Sequence, residues 1–165
     1  MTPPTASHRV KTLQLIWNAV TGSIGVYWIF GALLIHPPAQ TPPPIVSVIV
    51  LALGASTFAP AWALYRRHIG AVEAQVTATA LPRLSPTDRL LLVGRVQSGT
   101  IITLALLEAP AIYGLACGLA RVTPVSLLTL LACVSLLACI AFRMTAFPTI
   151  GRLIETLEAP SPSAS

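Results

Sequence analysis

Apolar positions along the chain gather into four runs with polar punctuation between them, at about residues 13–35, 45–65, 96–120 and 122–142. Each is about as long as the 20 or so residues a helix needs to cross a bilayer's hydrocarbon core. The first run exceeds the apolar core of a signal peptide and lacks a convincing small-residue cleavage site, so it reads as a retained span. Between the first two runs, HPPAQTPPP carries five prolines and no Asp, Glu, Lys or Arg. Proline removes backbone donors and stops helices, so this is a tight extended link. Between the last two runs, Arg121-Val122-Thr123-Pro124 makes a short turn, with Thr123 expected as N-cap and Pro124 at the first helical position.

The middle connector, Arg66 to Arg95, holds seven of the fifteen charged residues. RRHIGAVEAQVTATAL extends the second span as a helix that Pro82 ends. Ser85-Pro86-Thr87-Asp88 then opens a new helix: a Ser cap, a first-turn proline and an acid near the positive dipole end. That helix is expected to run into the third span. After the fourth span, Pro148 ends or kinks the helix. Ile150, Leu153, Ile154 and Leu157 repeat at helical spacing, which predicts a short amphipathic helix on the membrane surface. The Pro/Ser/Ala tail, 159–165, is expected to be disordered.

The 165 residues are 55% hydrophobic and 9% charged, where a soluble domain carries about 25% charge. Lipid must be the solvent, and one all-α domain over 1–158 accounts for the chain. The net charge of +5 would suit nucleic acid, but its placement points elsewhere. Arg9, Lys11, Arg66, Arg67, Arg83, Arg89, Arg95, Arg143 and Arg152 fall on one side of a four-span layout, and Arg121 on the other. Basic residues mark the cytoplasmic side, so both termini and the helical connector are expected there. The connector lacks aromatic interleaving that would stack bases, so no nucleic acid is expected. Cys117, Cys133 and Cys139 read as small apolar fillers. His8, His36 and His68 lie far apart beside span boundaries, and neither a metal nor another cofactor is expected.

Within the third span, Glu108 is the one formally charged residue between Gln97 and Ala120. A charge in hydrocarbon costs several kcal/mol, and desolvation favours the neutral carboxyl. Three roles follow: a buried acid hydrogen-bonded to another helix, a site that exchanges protons with water, or a ligand for a cation such as sodium. Pro110 has no N–H for the carbonyl of Leu106, and Pro60 does the same to Ser56. If the second and third spans pair antiparallel, Glu108 lies at the depth of Gly54 to Thr57. Glu108, Ser56, Thr57, the Leu106 carbonyl and Tyr113 are therefore the candidate proton or cation site.

Helices in lipid associate through small residues. Gly114-x-x-x-Gly118, extended back by Pro110, is the expected contact on the third span. Ala52, Ser56, Ala59 (or Pro60) and Ala63 form a stripe on the second. Ala19, Gly22, Ser23 and Gly25 crowd the first, near Asn18.

The segment around the acid resembles the carboxylate helix of the proteolipid, or c, subunit of rotary ATP synthases. Glu108 followed by Ala111, Ile112, Tyr113, Gly114 and Leu115 carries the likeness over about 16 residues. It implies an acid that binds and releases a translocated proton or sodium ion, in a ring of identical chains. Here the acid lies on the third of four spans, the connector is longer than that family's short loop, and Gly54 is the second span's one glycine. The overall layout, with Phe147-Pro148-Thr149 near its end, resembles small bacterial four-span membrane proteins, which implies the bacterial inner membrane.

Catalytic residues are not expected. Glu108 has no second carboxylate for paired acid–base work, and Ser56, Ser98 and Ser135 have no nearby His. Gly-rich nucleotide motifs are absent from the sequence. The resulting expectation is a non-enzymatic multi-pass membrane protein, a subunit or accessory of a larger membrane assembly or a homo-oligomer. The alternative is a proteolipid-like subunit that translocates protons or cations. Membrane lipid is the remaining expected partner, with Arg66, Arg67 and Arg89 at its headgroups.

Overall fold

A computed structural model describes residues 6–35, 43–79, 84–121 and 123–159. The proline-rich link over 36–42, the helix stop at Pro82 and the tail from 160 lie outside the described residues. The described residues form five helices and no strand: α1 Ala6–Leu34, α2 Pro44–Ala55, α3 Phe58–Thr79, α4 Pro86–Leu119 and α5 Val125–Glu158. With α2 and α3 counted together, they make four helical units long and apolar enough to cross a membrane.

The second unit breaks where its sequence requires it. Pro60 has no N–H to return to the Ser56 carbonyl, and the helix opens at Ser56 and Thr57. Thr57 N–H instead reaches the Gly54 carbonyl at 3.3 Å, a tighter turn. α3 then runs on to Thr79. α4 begins as its sequence predicts: the Ser85 hydroxyl accepts from the Asp88 amide at 3.1 Å, and Pro86 occupies the first turn. α5 begins one residue later than predicted. Pro124 takes the cap position without a side-chain hydrogen bond, and the Thr123 hydroxyl is buried without a partner. Arg121 closes α4 in the left-handed region at φ 58°, its amide bonded to the Gly118 carbonyl at 2.9 Å.

The expected separate amphipathic helix after Pro148 does not form. α5 is continuous to Glu158, with Pro148 inside it. The reason lies in where the proline points. Pro148 is exposed, and Met144, whose carbonyl loses its helical donor, is 75% exposed. The missing bond thus faces outward, where a polar medium can replace it, and the helix carries on. Ile150, Leu153, Ile154 and Leu157 are buried in the common core rather than laid on a surface.

α4 is the central helix, packing against α1, α3, α5 and α2; α5 and α1 complete the tightest part of the bundle. The contacts fix the directions. Along α1, Arg9, Ser23 and Gly31 meet Gln97, Glu108 and Leu115 of α4, so the two run parallel. Trp28 meets Thr129 and Trp17 meets Cys139, so α5 runs antiparallel to α1. The 34 residues of α4 span about 50 Å, well beyond the roughly 30 Å hydrocarbon thickness. The excess forms a lobe at the end that holds residues 84–85 and both described chain ends. Its core includes Leu13, Ile69, Val72, Leu92, Val93, Ile150 and Ile154. An Arg9–Glu158 ion pair at 2.6 Å and an Arg89 bond to the Ala159 carbonyl at 2.9 Å tie its helices together.

Small residues set the close approaches, on different faces from those predicted for the first two spans. A Cβ on Gly114 would meet the Leu128 backbone at 3.2 Å, and one on Gly118 would collide with the Ile35 side chain. Gly54 lies against Pro110 and Leu131. On α2 and α3 the buried face is Val50, Gly54, Ala61, Tyr65, Ile69 and Val72, so Ala52, Ser56, Ala59, Pro60 and Ala63 face outward. Gly22 and Gly25 of α1 face open space.

Candidate functional site

Glu108 lies in the last third of α4, two residues before Pro110, and is partly buried. Its carboxyl contacts the hydroxyl of Ser23 on α1. Tyr27, one turn further along α1, brings its phenol within electrostatic range of the same carboxyl. From the other side, Cys139 of α5 lies within electrostatic range of the acid. Ser135, one turn before Cys139, is fully buried with no partner for its hydroxyl. No ion pair to Glu108 forms among the described residues.

Depth can be read from the neighbours. Arg143 of α5 stacks on the ring of Trp17, 4.3 Å from its centroid, and Arg66 of α3 lies over Trp62 at 5.7 Å. Such aromatic–basic belts sit at the membrane–water boundary. Trp17 precedes Ser23 by six residues, so Glu108 lies about 9 Å inside that boundary. Arg121 follows Glu108 by thirteen residues, or about 20 Å. The two distances together match the roughly 30 Å hydrocarbon thickness. A bilayer placed on that belt would hold Glu108 about a third of the way across, nearer the lobe.

Ser23 imposes a count of protons. A hydroxyl has one proton and two lone pairs. Its oxygen is 2.7 Å from the Val20 carbonyl, which can only accept, and also touches Glu108. If Glu108 is ionised, one proton must serve two acceptors. If Glu108 is protonated, Ser23 donates to Val20, Glu108 donates to Ser23, and each contact has its hydrogen.

The other expected site residues are placed elsewhere. Ser56 donates to the Leu53 carbonyl at 2.7 Å and Thr57 to the Gly54 carbonyl at 2.8 Å, both back onto the end of α2. Together with Val50, Leu53, Tyr113 and Cys117 they line a shallow, mainly apolar cavity of about 270 Å³ between α2 and α4. Leu106 is partly buried two residues before Glu108, its carbonyl without a donor because of Pro110. Of the basic residues, Arg66 and Arg67 are exposed, while Arg89 turns to the end of α5. Ser23, Tyr27 and Arg143 are the residues that sequence reasoning missed. Among the described residues, no group of three His, Cys, Asp or Glu side chains comes together.

No family model, curated protein or solved structure matches the chain.

Proposed function

We propose that the chain is a non-enzymatic, multi-pass protein of the bacterial inner membrane, a subunit or accessory of a larger membrane assembly. In this reading Glu108 is a neutral, protonatable group that holds α1 to α4. The observation that carries it is the shared Ser23 oxygen: its two contacts have a hydrogen each only when the carboxyl keeps its proton. The depth of about 9 Å supports the same state, since an unpaired carboxylate in hydrocarbon is costly. The basic lobe supports a cytoplasmic location for both termini, because Lys and Arg concentrate there. Ile45, Val48, Ile49, Leu51 and Leu53 face outward from α2, leaving an apolar face for lipid or a neighbouring subunit.

A second reading is favoured by one specific observation. Glu108 is only partly buried, with the Ser23 hydroxyl against it and the Tyr27 phenol nearby. A partly buried acid beside a hydroxyl and a phenol suits transfer of a proton or cation. Glu108→Gln in reconstituted vesicles separates the two, because it keeps the hydrogen bond and cannot ionise. The first reading expects unchanged assembly and no Glu108-dependent proton or sodium flux. Flux present in the parent and lost in Gln, with assembly intact, overturns it. Carbodiimide, which modifies protonated carboxyls, should label Glu108 at neutral pH and leave the Gln variant unlabelled.

A further inference from the structure

Among the described cations, two arginines at the base of the lobe lie over tryptophan rings. Arg9 is ion-paired and Arg89 and Arg152 bond backbone carbonyls. Arg66 and Arg143 form no hydrogen bond or ion pair with the described residues; each instead lies on a tryptophan. Both platforms are themselves fixed. Trp17 donates its indole N–H to the Cys139 carbonyl at 3.1 Å, bridging α1 and α5. Trp62 packs against Tyr65 at 5.4 Å and edge-on against Phe142 at 6.4 Å, bridging α3 and α5. A guanidinium drawn to an aromatic face, with no hydrogen bond or ion pair to the described residues, keeps its N–H donors available to a ligand.

We propose that Trp17–Arg143 and Trp62–Arg66 are two binding sites for the phosphate of anionic phospholipids in the lobe-side leaflet. The tryptophans lie at the boundary inferred above, so a lipid whose phosphate meets the guanidinium has its acyl chains alongside the bundle. Charge decides the class of lipid. Among the described residues neither guanidinium forms an ion pair, and the chain carries a net charge of +5. A guanidinium fork matches phosphate geometry, and an anionic headgroup adds net attraction that a zwitterionic one lacks. Arg89 is not part of the site, because it turns to the end of α5.

The test uses the full chain in vesicles of phosphatidylcholine containing either acyl-brominated phosphatidylglycerol or acyl-brominated phosphatidylcholine. Bromine quenches nearby tryptophan, so the ratio of quenching measures lipid preference. The expected result is a preference for phosphatidylglycerol that falls about fivefold with each of Arg66→Gln and Arg143→Gln and declines with added salt. Quenching by brominated phosphatidylcholine should stay unchanged in both variants, which shows that the bundle is folded. Arg152→Gln, a lobe residue away from both tryptophans, should keep the full preference. Equal quenching by the two lipids in the parent protein overturns the proposal, as does a preference that survives in the double variant. Loss of the preference on adding soluble glycerol phosphate also overturns it, since the sites would then take a free phosphate rather than a lipid.

Discussion

Removing Ser23 and Glu108 singly and together measures the contact on which the functional reading depends. The perturbations are Ser23→Ala, Glu108→Ala and the double variant, with Glu108→Gln alongside. If the acid is neutral, the pair is an ordinary interhelical hydrogen bond in lipid, which averages about 0.6 kcal/mol and reaches about 1.7 kcal/mol. If it is an anion, the bond is charge-assisted and its coupling rises to about 1.5–3 kcal/mol. The Gln variant sharpens the contrast. A neutral acid and an amide can both donate to the Ser23 oxygen, so stability should change by no more than about 0.5 kcal/mol. An anion about 9 Å deep would pay a desolvation penalty approaching the roughly 2.5–3.5 kcal/mol seen at mid-membrane, and Gln would relieve it. The assay is reversible unfolding in mixed micelles, or steric trapping in bicelles, with the coupling taken as the non-additivity of the cycle. A coupling above about 2 kcal/mol, or a Gln variant more stable by over about 1 kcal/mol, refutes the reasoning.

Three further predictions follow from the packing. Gly114→Leu should destabilise the bundle by about 1–3 kcal/mol, because a Cβ there already meets the Leu128 backbone at 3.2 Å; Gly70→Leu, in open space, should be nearly neutral in the same unfolding assay. Arg9→Ala should loosen the far end of the lobe by about 1 kcal/mol, since the pair it breaks with Glu158 is only 16% exposed on each side; hydrogen exchange over 150–158 should quicken, and high salt should mimic part of the effect. Arg121→Gly should raise the thermal midpoint, because relieving a left-handed non-glycine residue is worth about 1 kcal/mol; an unchanged or lower midpoint would contradict that account.

The sequence allowed some parts of this fold to be read and concealed others, for one physical reason. Apolar length, proline and caps act along the chain, so the four units, the carbonyl that Pro60 frees and the start of α4 at Ser85 were visible, whereas the break of the second unit into two helices was not. Counting residues also located the depth of Glu108 relative to the second span, and Gly54 does pack against Pro110. What counting cannot supply is azimuth. α1 runs parallel to α4 and presents Ser23 to the acid, while Ser56 and Thr57 sit at a similar depth and bond their own backbone. The same limit applied to Arg143, whose tryptophan is 126 residues away in sequence and on another helix. Pro148 misled because its effect depends on which way the lost bond faces, and here it faces outward.

The most direct measurement of the central claim is the infrared spectrum of the protein in bilayers at neutral pH, compared between the parent and Glu108→Gln. A carbonyl stretch characteristic of a protonated carboxylic acid, present in the parent and missing from the variant, is the predicted result. A difference spectrum that contains only carboxylate bands assigned to Glu108 would contradict the account.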